Sequence, residues 1–139
     1  ASRGSDARPL AVRALLDAHA FIWWVLAMPE LSQTCREVVS DGDNDIIFSA
    51  ASAYEIAYKA EQGRLHLPES PAAYVRDRLA ANGFTSLGIE LAHALRAATL
   101  PRIHGDPFDR ILVAQAQVEG IPILTADPAI GRYDVETIW

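Results

Sequence analysis

Acidic side chains stand at places in this chain where a carboxylate needs a reason. Asp17 directly follows the apolar run Ala14-Leu15-Leu16, and Asp127 follows Ile123-Leu124-Thr125-Ala126. If both runs are buried strands of one parallel sheet, the two carboxylates share the edge where such sheets collect ligands. Asp is also a preferred helix N-cap, so each could simply start the helix that follows it. Glu55 lies within Ala50-Ala51-Ser52-Ala53-Tyr54-Glu55-Ile56-Ala57-Tyr58, a segment so rich in small and apolar residues that little of a helix there would face water. Its local alternative is an ion pair with Lys59 at i,i+4, with the acid on the favoured N-terminal side. Asp106 and Asp109 bracket Pro107 in the pattern of a capped helix start, which needs no chemistry. Taken together, Asp17, Glu55, Asp109 and Asp127 form an oxygen-only donor set of the kind that hard divalent cations take.

Other chemistries find less support. His19, His66, His93 and His104 lack metal-ligand spacing and there is one cysteine, Cys35, which argues against zinc. The glycines match neither dinucleotide nor phosphate-loop patterns. Ser49 and Ser52 have no nucleophile-elbow context and read as helix caps.

These acids need a scaffold, and the pattern supplies one. Strands are expected at residues 12–16, 45–48, 84–87, 122–125 and 135–139. Helices are expected at 19–27, from Ser32 to 39, 50–62, 71–81, 90–99 and from Asp106 to 120, with a short helix after Asp127. Strands alternating with helices predict an α/β sandwich around a mainly parallel sheet flanked by helices. The adjacent Trp23 and Trp24 are about 100° apart on a helix, so one is expected in the core and the other nearer the surface.

The chain has 139 residues, half of them apolar, which suits one domain. Residues 1–10 read as an unpatterned leader, and 11–139 as the domain. No apolar run reaches the ~20 residues of a membrane span, and with one cysteine and no signal-peptide pattern the expected location is the cytoplasm. A net charge of −6 argues against holding nucleic acid by bulk electrostatics but permits a nuclease whose acidic pocket binds metal. Of the 12 basic residues, Lys59 is the only lysine.

Four segments in this order, Leu15-Leu16-Asp17-Ala18-His19-Ala20-Phe21-Ile22-Trp23-Trp24, Ser52-Ala53-Tyr54-Glu55-Ile56-Ala57-Tyr58-Lys59, His104-Gly105-Asp106-Pro107-Phe108-Asp109-Arg110-Ile111-Leu112-Val113-Ala114-Gln115-Ala116 and Leu124-Thr125-Ala126-Asp127, resemble the PIN-domain ribonucleases, and within them the VapC toxins of bacterial toxin-antitoxin pairs. The resemblance implies a PIN-like sandwich and an endoribonuclease dependent on Mg2+ or Mn2+. It maps the catalytic and metal-binding acids onto Asp17, Glu55, Asp109 and Asp127, with Thr125 and Asp106 supporting them. In that assignment Asp17 and Asp109 hold the principal metal, and Glu55 and Asp127 act through water or a second site. Arg110 and Arg102 are the candidates for contacts to the RNA backbone. The implied partners are a cognate antitoxin protein, an RNA substrate and a second copy in a homodimer. Ala18 departs from a common Thr and Gly105 from a common basic residue, which touches rate and substrate preference more than reaction type. The competing readings are a catalytically inactive PIN-like protein-binding module and a phosphoacceptor receiver domain. The receiver would need paired acids after the first strand and a lysine near the last, and neither is present.

Overall fold

The computed structural model describes residues 11–103 and 105–139; the expected leader at 1–10 and His104 lie outside them. The elements run β1 (Arg13–Leu16), α1 (Ala18–Val25), α2 (Gln33–Ser40), β2 (Asp45–Ser49), α3 (Ala50–Glu61), α4 (Pro71–Asn82), β3 (Thr85–Leu87), α5 (Leu91–Thr99), α6 (Pro107–Glu119), β4 (Ile123–Leu124), a 3-10 turn (Ile130–Arg132) and β5 (Thr137–Ile138). All five strands are parallel, in the order β3-β2-β1-β4-β5.

Burial on both faces explains why the inner strands are continuously apolar. Alternate residues of one strand serve opposite layers. Ala14, Leu16, Ile46, Phe48 and Leu124 face a core that includes Phe21, Cys35, Ile56 and Tyr74 from α1 to α4. Leu15, Ile47 and Ile123 face Leu112, Val113, Ala97 and Tyr133 of α5, α6 and the C-terminal segment. The result is a three-layer sandwich with helices on both faces of the sheet.

The helix boundaries follow local chemistry. Ser32, Ser49, Ser70 and Asp106 cap α2, α3, α4 and α6 through their side-chain oxygens, and Pro71 and Pro107 open the last two. Gly83 and Gly120 end α4 and α6 in the left-handed conformation (φ 66° and 68°) that a side chain would resist. No helix among the described residues is long and apolar enough to cross a membrane.

Two expectations need correction. Trp23 and Trp24 do not divide between core and surface: both are half-buried. Trp23 meets Trp139 edge-on at 5.8 Å, and the Trp24 indole N–H donates to the Asn82 side chain at 3.0 Å. The segment after Asp127 forms one 3-10 turn, and β4 and β5 are two residues each, shorter than the pattern suggests.

Candidate active site

The order of the sheet determines where ligands can sit. β1 is central, the chain moves to β2 and β3 on one side and to β4 and β5 on the other, and the reversal falls between β1 and β4. Such a switch point opens a crevice beyond the carboxyl ends of the two strands. Leu16 is in register with Leu124, so the next residues, Asp17 and Thr125, emerge side by side into that crevice.

Asp17 is buried, 6% exposed, and caps α1 by accepting the Ala20 N–H at 2.7 Å. Thr125 is buried beside it and hydrogen-bonds its carboxylate. Burial pushes the Asp17 carboxyl above its ordinary range. The Thr125 hydroxyl, the Ala20 N–H and His19 oppose that shift, and the charge of Asp127 adds to it. Asp127 is therefore near enough for the two like charges to interact. Its own N–H donates to the Thr125 hydroxyl at 3.0 Å, and its carboxylate accepts from the Ala129 N–H at 2.9 Å. Asp17, Thr125 and Asp127 form one connected group, as their strand-end positions require.

Glu55 is buried, 5% exposed, and pairs with Lys59 at 2.6 Å. The pair lines a cavity of about 270 Å³ with Ala18, His19 and Ile22 of α1 and with Arg64. Glu55 thus faces the helix that Asp17 begins. Asp109, half-buried, lies in the first turn of α6, where its N–H and that of Phe108 are capped by the Asp106 carboxylate. Both α3 and α6 begin at the edge that carries Asp17, and the two helices are in contact. The local roles open in the sequence are present: Asp17 and Asp106 are caps and Glu55 has its ion pair.

The donor chemistry fits a hard divalent cation, being oxygen throughout and dominated by carboxylates. Among the described residues no group of three or more His, Cys, Asp or Glu side chains is placed to hold a metal ion, and no buried side-chain N or O lacks a partner. The feature that points to a cation is the raised Asp17, a buried acid facing a second acid at the crevice.

The two arginines expected on RNA have other surroundings. Arg110 is committed inside the protein: its guanidinium donates to the carbonyls of Ala97 (3.0 Å), Leu100 (3.1 Å) and Pro101 (2.9 Å) and closes the C-terminus of α5. With Arg102 it lines a cavity of about 610 Å³ between α5 and α6 that none of the four acids reaches. Arg110 is therefore better described as a structural clamp than as a phosphate contact. Arg102 is exposed at the cavity rim. Sequence reasoning overlooked the ring cluster of Tyr54, Tyr58 and Phe108, although Tyr54 and Phe108 immediately precede Glu55 and Asp109. The i,i+4 spacing of the tyrosines was its available signal. Ser49 and Gln115 were likewise missed as a pair; the hydroxyl donates to the amide oxygen at 2.5 Å, tying α3 to α6.

The comparisons with known proteins agree with this architecture. The PIN domain family profile matches residues 14–136. Ribonuclease VapC22 of Mycobacterium tuberculosis is 31% identical over 114 residues, 81% of this chain and 85% of that protein. Ribonuclease VapC16 of the same organism is 43% identical over 68 residues, 49% of this chain and 48% of that protein. In three dimensions the chain resembles DNA-bound VapBC from Salmonella typhimurium (TM-score 0.68, 18% identity, 91% of this chain and 97% of that one). It also resembles VapBC2 from Rickettsia felis bound to a promoter DNA fragment (TM-score 0.66, 11% identity, 91% and 98%). With the profile spanning nearly the whole domain, the chain belongs to the PIN domain family and is of VapC type.

Proposed function

We propose that this protein is a metal-dependent endoribonuclease, the toxin of a toxin-antitoxin pair, and that its reaction takes place at the crevice between β1 and β4. The observation that carries the reading is the buried Asp17 carboxyl, raised by burial and by Asp127, at the switch point of the sheet. Each of these acids accepts a backbone N–H, but that local role does not require two like charges to be placed where they repel. Homology adds the reaction class, since both curated relatives are named ribonucleases.

In this reading Asp17 and Asp109 would hold the principal Mg2+ or Mn2+, with Glu55 and Asp127 acting through water or completing a second site. Bound there, the cation supplies Lewis acidity and neutralises the charge that develops on a phosphodiester during hydrolysis. The chain's own contribution is positioning. The α1 N-terminus and the Thr125 hydroxyl fix the Asp17 carboxylate, and the hydroxyl also holds the backbone of Asp127. Asp106 secures the first turn of α6 and with it Asp109. Lys59 pairs with Glu55, and both line the cavity next to α1. The partners proposed are an RNA substrate, a cognate antitoxin, as in the toxin-antitoxin complexes the fold resembles, and a second copy of this chain. The proposed location is the cytoplasm.

Incubating the purified protein with single-stranded RNA in Mg2+, in Mn2+ and in EDTA tests the reading. Cleavage is expected in either metal and none in chelator. A folded protein that cuts no RNA in either metal would instead match the inactive binding module.

A further inference from the structure

Tyr54, Tyr58 and Phe108 pack against one another beside the acids. Their ring centroids are 6.1 Å apart for Tyr54–Tyr58, 5.4 Å for Tyr54–Phe108 and 6.4 Å for Tyr58–Phe108. Tyr54 is nevertheless 61% exposed and Tyr58 44%. Among the described residues the other strongly exposed large apolar side chains, Leu26, Ile89, Leu91, Leu95 and Val118, are all aliphatic. Among the described residues the open aromatic side chains thus gather where α3 meets the first turn of α6, with Tyr54 and Phe108 each next in sequence to a proposed metal ligand.

The tilted and edge-on packing holds the rings together while Tyr54 and Tyr58 stay exposed. An aromatic face offers an unpaired nucleobase the stacking that an aliphatic patch lacks. The charge balance makes this useful. At a net charge of −6, the chain gains little from neutralising phosphates, so RNA affinity must draw on interactions that do not depend on charge.

We infer that Tyr54, with Tyr58 and Phe108 behind it, is a stacking platform for an unpaired base flanking the scissile phosphodiester. The inference rests on the ribonuclease reading above. Stopped-flow mixing in Mg2+ with a single-stranded oligoribonucleotide carrying 2-aminopurine reports stacking as fluorescence quenching before cleavage. Steady-state cleavage of the same strand gives KM and kcat. Tyr54→Leu and the double variant with Tyr58→Leu are expected to melt like wild type, lose most of the quenching and raise KM about tenfold or more, with the larger share of the loss in KM. Tyr54→Phe, which keeps the ring, should restore both. Unchanged quenching and KM in the leucine variants would overturn the platform, as would a Tyr54→Phe variant as defective as Tyr54→Leu. Reduced self-association in ultracentrifugation with unaltered KM would assign the rings to a protein interface and overturn it too. If wild type cuts no RNA in either metal, the ribonuclease reading itself fails; if wild type cuts and the variants behave identically to it, only the platform does.

Discussion

Each acid at the crevice has two roles, and substitutions separate them. Because folding raises the Asp17 pKa, the native state binds that proton more tightly than the unfolded chain. The stability from this group is full below its unfolded pKa and is lost as pH rises through its raised folded pKa. Charged Asp17 therefore destabilises the metal-free protein at neutral pH. Asn keeps the capping oxygen without the charge, so Asp17→Asn should stabilise the protein in EDTA at pH 7, on the order of 1 kcal/mol, with the gain vanishing in acid. Urea titrations at the two pH values check this. Lys59→Met should act in the opposite direction. It leaves a nearly buried Glu55 without its cation and should cost about 1 to 3 kcal/mol, less than a fully buried pair because Lys59 retains contact with water. Glu55→Gln should cost less.

At the level of elements, caps and ligands can be told apart on α6. Asp106→Ala should lose about 1 kcal/mol with cleavage weakened but present, because its carboxylate bonds only the backbone of the first turn. Asp109→Asn should abolish cleavage with a smaller change in stability, so melting and RNA cleavage on the same pair of variants distinguish cap from ligand. Arg110→Ala should cost about 2 kcal/mol by releasing three carbonyls at the end of α5, and Lys should not rescue it because one ammonium cannot span that fork. Much of this scale was legible in the sequence. Ser32, Asp106-Pro107 and the glycines after α4 and α6 are local signals, and the elements begin and end close to where they point. The Glu55–Lys59 pair was legible for the same reason, since i,i+4 neighbours meet on any helix. Arg110 was not, because its carbonyl partners lie 9 to 13 residues earlier, in the last turn of α5 and just past its end. His93 was only half legible. Its spacing excludes a metal site, and its Nδ1 accepts the Glu90 N–H within one turn, but the ring is buried and its Nε2 bridges to Glu119 on α6.

For the whole molecule, the sheet order gives the acids their meaning. Alternation of strands and helices predicted a parallel sheet, but no local pattern says that β1 lies between β2 and β4. That order places Asp17 next to Thr125 and near Asp127 although more than 100 residues separate them in the chain. A cation bound only to this folded arrangement stabilises it by mass action, so Mg2+ should raise the melting temperature of wild type and raise that of Asp17→Asn much less. The most direct measurement is cleavage of single-stranded RNA by the purified protein and by Asp17→Asn, each in Mg2+ and in EDTA. The account predicts cleavage by wild type in Mg2+, none in EDTA, and loss of at least about a hundredfold in the folded Asn variant, the scale on which a group that stabilises transition-state charge is felt. Undiminished cleavage in chelator, or by a folded Asp17→Asn variant, would contradict it.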